Sequence, residues 1–433
     1  MPRFLALLII ITVAVASCNH ACAMDSHAAD RSALLSFKSG VQGDLLGWGT
    51  INMCDWDGVT CDSRGRVINL HLSDCNLTGL ISPAIGNLSA LESLLLDNNH
   101  LSGSLPPELG KLSRLEWLEL DSNLLKGAIP HTLGLLKRMA RLYLGGNNLS
   151  GDIPEAIFSN CSSLIEIDLS DNSLSGVIPL PIRCRLPYIE MLGLGWNRFV
   201  GVIPSSISNL TSIQSLVLND NFLGGVLPSQ TFDKMASLQE LQLGCNNFSS
   251  DGENINLEPF LASLVNCTGL ELLGLESNGI GGKIPPIIGN LTLLHSINLN
   301  ENRTSGTIPS EIFHIQWIYV LNLSHNQISG EIPRSIGRAQ HLYDIDVSYN
   351  DLEGAVPETL SNLSELGHLA LGNNRISGEI PKSIGQAENL YSIDLSYNCL
   401  HGVIPDTLFN LTDLQHLALN DNQLSGTITP GLS

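Results

Sequence analysis

The side chains in this chain with the types to do chemistry together fall between Glu92 and Asp168. They are Glu92, Asp97, Glu116, Trp117, Glu119, Asp121, Tyr143, Glu166 and Asp168. Clustered carboxylates can act as a general acid and base, hold a cation, or receive a basic ligand. Their spacing chooses among these. Glu92 to Glu116, Asp97 to Asp121 and Glu119 to Tyr143 are each 24 residues apart, and Tyr143 to Asp168 is 25. A catalytic pair is placed by local geometry and has no reason to follow a period. The chain also carries no G-x-S-x-G elbow, H-E-x-x-H pair, Walker loop, H-R-D or D-F-G. The expectation is therefore no catalytic residue, no metal and no cofactor. A binding patch is expected instead, with Trp117 and Tyr143 as anchors for a basic or mixed-charge peptide. The alternative is a solvated acidic face.

The period that spaces these acids runs through most of the chain as L-x-x-L-x-L-x-x-N-x-L-x-G-x-I-P. One copy is Leu115, Leu118, Leu120, Asn123, Leu125, Gly127, Ile129 and Pro130. The Asn slot holds Cys75 and then Asn99, Asn123, Asn147, Asn172, Asn197, Asn221, Asn246, Asn278, Asn302, Asn326, Asn350, Asn374, Asn398 and Asn422. These are about fifteen repeats, and such periods mean stacked units. The L-x-L stretch alternates, so it predicts a short strand with Leu inward and x outward. The slot Asn has donors and an acceptor to satisfy backbone where coils stack, a ladder of turns. After the Pro, x-x-L-x-x-L suits a short outer helical turn, as at Leu109 and Leu112. Stacked this way the strands make one parallel sheet on a concave face. One step, Asn246 to Asn278, is 32 residues, so 246–277 is an irregular repeat with a longer outer helix expected near Leu261, Leu264 and Val265.

The net charge is −21, with 42 acidic residues against 21 Lys and Arg. A surface this acidic repels phosphate, which argues against nucleic acid and anionic membranes as partners. Residues 1–23 read as a signal peptide: Arg3, the apolar run Phe4 to Ala16, and Ala21-Cys22-Ala23 before Met24. No later run reaches the ~20 apolar residues of a membrane span. The chain is thus expected to be secreted or extracellular. Sequons at Asn76, Asn87, Asn148, Asn160, Asn209, Asn247, Asn266, Asn290, Asn322, Asn362 and Asn410 are expected to carry glycans. A further sequon at Asn302 is expected to stay empty, because Asn302 fills a ladder slot.

With L-x-G-x-I-P in place, the chain resembles the plant-specific leucine-rich repeat. It is similar to the ectodomains of plant leucine-rich-repeat receptor kinases and receptor-like proteins, in the subgroup of disease-resistance and elicitor receptors. The resemblance implies an α/β solenoid wound as a right-handed superhelix, with a second sheet around L-x-G-x-I-P. It also implies a helical N-terminal cap over 24–66, followed by repeats over 67–433. In the cap, Asp30 to Gly40 reads as a helix with Asp30 as N-cap and Leu34, Leu35, Phe37 and Val41 as its apolar face. Cys54-Asp-Trp56-Asp-Gly58-Val59-Thr60-Cys61 resembles the family's cap signature, which implies a Cys54–Cys61 disulfide. Cys161 with Cys184 and Cys245 with Cys267 are further pairings that the spacing leaves open.

The repeats reach Ser433 with no capping cysteine pair, and the expectation is of part of a larger receptor. The resemblance implies an extracellular module perceiving a peptide, protein or glycan in defence or development. It would signal through a kinase domain or a leucine-rich-repeat co-receptor kinase outside this chain. Family behaviour places co-receptor contacts toward the later repeats, near Trp196, Arg198, His325, Tyr343, Tyr349, Tyr391 and Tyr397. The alternatives are a secreted inhibitor of cell-wall-degrading enzymes, like the polygalacturonase inhibitors, or a full-length receptor serine/threonine kinase.

Overall fold

The computed structural model describes residues 27–43, 45, 47–182 and 186–427. Residues 1–23, read above as a signal peptide, Cys184 and residues 428–433 lie outside them. Two compact units are present, one ending at Asn197 and the other beginning at Arg198.

Both units are built from one coil. Each L-x-L forms a three-residue strand such as Trp117–Glu119, with its central Leu buried and its flanking residues facing outward. Strands stack parallel in strict register. In the first unit Leu70, Leu94, Leu118, Leu142, Ile167 and Leu192 face one another in sequence. In the second, Leu216, Leu241, Leu273, Ile297, Leu321, Ile345, Leu369, Ile393 and Leu417 do the same. From Leu70 to Ile393 these side chains are at most 1% exposed. Because the side-chain period is two, this buried column fixes which residues can reach solvent on the strand face.

The slot Asn leads the chain off the sheet. Asn123 Nδ2 donates to the carbonyls of Leu96, Leu120 and Asp121 at 3.0–3.2 Å, and its Oδ1 accepts from Leu101 N at 2.9 Å. One amide thus stitches two coils. The residue before the slot adopts the left-handed region, as in Ser122, Trp196, Asp220, His325, Tyr349 and Tyr397, with φ of 51–54°. This conformation is uncommon for residues with a side chain. It is held here by the ladder on one side and the stacked coil on the other.

After the strand face, L-x-G-x-I-P forms a second, lateral parallel layer, for example His100–Gly103 beside Leu124–Gly127. The Pro then precedes a five-residue 3₁₀ turn: Pro106 leads Pro107–Lys111, which buries Leu109. The irregular repeat keeps its ladder bonds at Asn246 and Asn278 but interrupts the lateral layer. Its extra length is an α-helix, Glu258–Leu264, whose Phe260 packs edge-on against Phe232. Asn254 holds the detour, accepting from Ser250 N and Gly281 N and donating to Gly279 O.

The cap differs from the sequence reading at Asp30 and at Leu35. Asp30 is not the helix N-cap, because residues 27–40 are all helical. Asp30 is instead fully buried one turn in, gripping Arg66 through two bonds of 2.8 and 3.0 Å and accepting from Val67 N. Leu34, Phe37 and Val41 are buried on the first coil, while Leu35 is half-exposed. Trp48 and Trp56 stack beneath them, ring centroids 5.0 Å apart. Cys54 and Cys61 are joined by a disulfide, with Cα atoms 5.6 Å apart. Cys245 and Cys267 are not bonded to each other: both thiols are free, and burial pushes that of Cys267 up to about 12. The buried Cys161 directs its sulfur to Leu133 O at 3.7 Å.

Candidate functional site

The outward side chains of the strands stand on a backbone hydrogen-bonded to its neighbours on both sides within the sheet. In the first unit register sets Leu95, Glu119, Tyr143, Asp168 and Gly193 in one column. Ser93, Trp117, Arg141, Glu166 and Met191 form the column beside it. Glu119, Tyr143 and Asp168 thus share one column, and the charges of Asp97 and Asp121 act on Glu119. Burial raises the Glu119 carboxyl, and Asp97 adds to that effect against the pull of Arg141. Burial also raises Asp121, with Asp97 and Asp168 contributing. Asp168 lies between two glycines, where a Cβ on Gly193 would stand 2.8 Å from its Oδ1. Glu92 stands at the entrance of its strand, its carbonyl accepting from Glu116 N.

Two arginines, overlooked in the sequence, change the character of this patch. Arg141 is bonded to Glu166 at 3.0 Å and places its guanidinium 5.1 Å from the Trp117 ring. Arg138 donates to Glu116, and Tyr143 OH donates to Glu166. Burial, then that bond, pushes the Tyr143 hydroxyl far above its ordinary range. The sequence did hold the signal, since Arg141 is the residue before the central Leu of R-L-Y. Its two neighbours in the same column, Trp117 and Glu166, are singled out by type while the cation between them is passed over.

In the second unit the later repeats carry aromatic and imidazole rings. Tyr319 and Tyr343 stack at 5.0 Å, His325 and Tyr349 at 4.1 Å, and Trp317 and His341 at 4.8 Å. Tyr343 and Tyr391 meet across Gly367, where a Cβ would stand 2.6 Å from the Tyr343 ring. His368 bonds Asp344 at 2.8 Å, and that bond raises its pKa despite burial. Of the residues singled out from sequence, His325 joins Tyr349, and Tyr343 joins Tyr391. Tyr397 is exposed, while Trp196 and Arg198 fall in different units.

The sequons divide by layer. Asn87, Asn160, Asn209, Asn290, Asn362 and Asn410 each end a turn helix. Asn76, Asn148, Asn247 and Asn266 are exposed and also off the strand face. Asn322 is the exception, standing on strand Val320–Asn322. Asn302 is 8% exposed, and its amide is spent on the carbonyls of Leu275, Leu299 and Asn300. Among the described residues, no group of three His, Cys, Asp or Glu side chains is arranged to hold a metal ion. Nor is any helix among them long and apolar enough to cross a membrane.

Comparison with known proteins agrees with this architecture. The leucine rich repeat N-terminal domain matches residues 27–62. The leucine rich repeat model matches 66–88, 90–112, 139–160, 163–184, 269–291, 318–339 and 389–411. The LRR receptor-like serine/threonine-protein kinase EFR of Arabidopsis thaliana is 44% identical over 21% of this chain and 9% of its own length. Another leucine-rich repeat receptor-like serine/threonine-protein kinase of Arabidopsis thaliana is 46% identical over 56% of this chain and 25% of its own. The chain therefore spans a quarter or less of these relatives, whose names describe whole proteins. Among solved structures, the plant peptide hormone receptor RGFR1 in complex with RGF2 superposes with a TM-score of 0.61 at 27% identity. That match covers 83% of this chain and 68% of the other. By its cap, its repeat and these relatives, the chain is a leucine-rich-repeat solenoid that matches the ectodomain of plant leucine-rich-repeat receptors.

Proposed function

We propose that this chain is the extracellular ligand-recognition module of a plant receptor, binding a peptide or protein ligand across its strand face. The signal would pass through a kinase domain or co-receptor kinase outside these residues. The domain organisation that goes with this reading is a signal peptide over 1–23, a cap over 24–66 and repeats over 67–433. The observation that carries the proposal is the division of labour between layers. Strand-face columns present acids, arginines and rings from a fully bonded backbone, while all the expected glycan sites but Asn322 stand on the turns and lateral strands. Glycans so placed would leave the strand face open to a macromolecule. Support also comes from the neighbour RGFR1, itself a peptide hormone receptor with its ligand bound.

Selection of a displayed random peptide library on the full secreted, glycosylated chain tests the reading. The expected outcome is enrichment of basic peptides whose binding falls at least tenfold in the double variant Glu119→Lys/Asp121→Lys. Peptides that bind that variant equally well would remove the acidic patch from the account. Peptides that bind only turn residues would overturn the strand face as a whole.

A further inference from the structure

Among the described residues, five buried side-chain atoms have no hydrogen-bond partner, and four of these are oxygens of one strand-face region in the second unit. They are Asn219 Oδ1, Glu276 Oε2, Asn298 Oδ1 and Asn300 Oδ1. Register places them together. Val217, Gln242, Gly274 and Asn298 are successive partners across four strands. Asn219, Gly244, Glu276 and Asn300 follow two residues later, just past the ends of these strands. Two of these positions are glycines, so the floor has no side chain at Gly244 or Gly274. Glu276 lies down over the first: a Cβ on Gly244 would stand 2.2 Å from its Oε1. Gln242 lies over the second, with Oε1 2.1 Å from the Cβ position of Gly274.

Every unpartnered oxygen here is an acceptor. The orientation of Asn219 is fixed independently, because its Nδ2 donates to Asp220 Oδ2 at 2.8 Å. Acceptors left buried without donors cost about 1–3 kcal/mol each, so the cluster carries a standing demand for N–H groups. The partner that meets it must bring several donors and no acceptor, tolerate a carboxylate, and be flat enough to lie on a glycine floor. A guanidinium does all of this, with five N–H donors in one plane and a permanent positive charge. An ammonium offers three donors from a point and lacks the flat fork that a carboxylate beside a glycine floor can pair. The net charge of −21 favours the approach of any cation.

We propose that the strand face over Gly244, between Asn219 and Glu276, is an arginine-side-chain site, in which Glu276 pairs with a guanidinium and Asn219 accepts a further N–H group. Binding lifts Glu276 off the glycine floor. The site rests on the reading of the strand face as the ligand surface and narrows it to a ligand presenting an arginine.

The test is titration of the full secreted chain with N-acetyl-arginine amide, followed by NMR or calorimetry, with N-acetyl-lysine amide and N-acetyl-citrulline amide as controls. Saturable binding of the arginine probe is expected, about tenfold weaker for lysine and absent for citrulline. In Glu276→Gln the arginine affinity falls at least tenfold while Tm holds or rises, since a buried carboxylate has been removed. Gly244→Ala weakens binding by occupying the floor. Arginine binding that is undiminished in Glu276→Gln, or equal for citrulline, overturns the site. A Tm that falls in Glu276→Gln with unchanged binding makes Glu276 structural and also overturns it. If library peptides bind the strand face but ignore Glu276→Gln, this site fails while the receptor reading stands.

Discussion

The strand faces of the two units solve the same problem in opposite ways. In the first unit the acids bring their own cations: Glu166 is held by Arg141, Glu116 by Arg138, and Trp117 is capped by the Arg141 guanidinium. In the second, the row from Asn219 to Asn300 has four acceptor oxygens and no cation among them. The frame beneath is identical, with the same Leu column, ladder and register. Recognition on a solenoid of this kind is therefore written in the x columns, and a column with internal partners says less about a ligand than one without. Part of the charge of the acidic patch is thus answered internally, at Glu116 and Glu166, which leaves Glu119 and Asp121 outside any ion pair among the described residues.

The comparison can be broken first at the frame. Asp30→Ala strands the partly buried Arg66 at the cap, and we expect a loss of about 3–5 kcal/mol by denaturant unfolding. The cap then matters more than either face. Next, Asn123→Ala in the first unit and Asn326→Ala in the second should each cost about 2–4 kcal/mol, because each orphans one amide N–H and several carbonyls. Equal losses would sharpen the claim of a common frame. A loss in one unit alone would break it.

Smaller effects probe the columns. Arg141→Ala frees Glu166 at a site that is about one-third exposed on the arginine side, so stability should change by less than about 1 kcal/mol. The same variant should bind cationic library peptides more tightly, by making the first face resemble the second. Replacement of Glu119 or Asp121 by its amide should raise Tm at neutral pH. Their carboxyls are raised in the folded state, so ionisation costs stability above that range, and the gain should vanish as pH falls below the ordinary carboxylate range. His368 behaves in the reverse sense to a depressed acid. Its folded pKa is raised by Asp344, so its contribution is complete below its unfolded value, about 6.5, and is lost as pH rises through the folded value. Thermal melts of wild type and His368→Gln should therefore differ slightly at pH 5 and coincide at pH 8.

Much of the frame was legible in the sequence because periodicity is a local signal. The L-x-L strands, the Asn slots, the turn after each Pro and the longer helix near Leu261 all follow from spacing. Asp30 was misread because S/T/D/N before an apolar run looks like an N-cap, whereas a buried partner 36 residues away is invisible locally. Arg141 and the four orphaned oxygens were missed for a different reason. Their meaning depends on which neighbours fall beside them across strands, and on glycines such as Gly244 and Gly367 that let side chains lie down or rings meet. The left-handed residue before each slot was hidden because Trp, Tyr and His occupy it, where sequence rules look for Gly or Asn.

The central claim is that ligand meets the strand face and not the turns, and a glycan can serve as the wedge that tests it. The double variant Glu119→Asn/Asp121→Thr writes a sequon onto the strand face, and Lys111→Asn writes one onto a 3₁₀ turn ahead of Ser113. With both variants secreted and confirmed as glycosylated, affinity for the peptides selected on wild-type chain is measured. The strand-face glycan is expected to abolish binding and the turn glycan to leave it unchanged. Binding that survives the first and is lost with the second would contradict it.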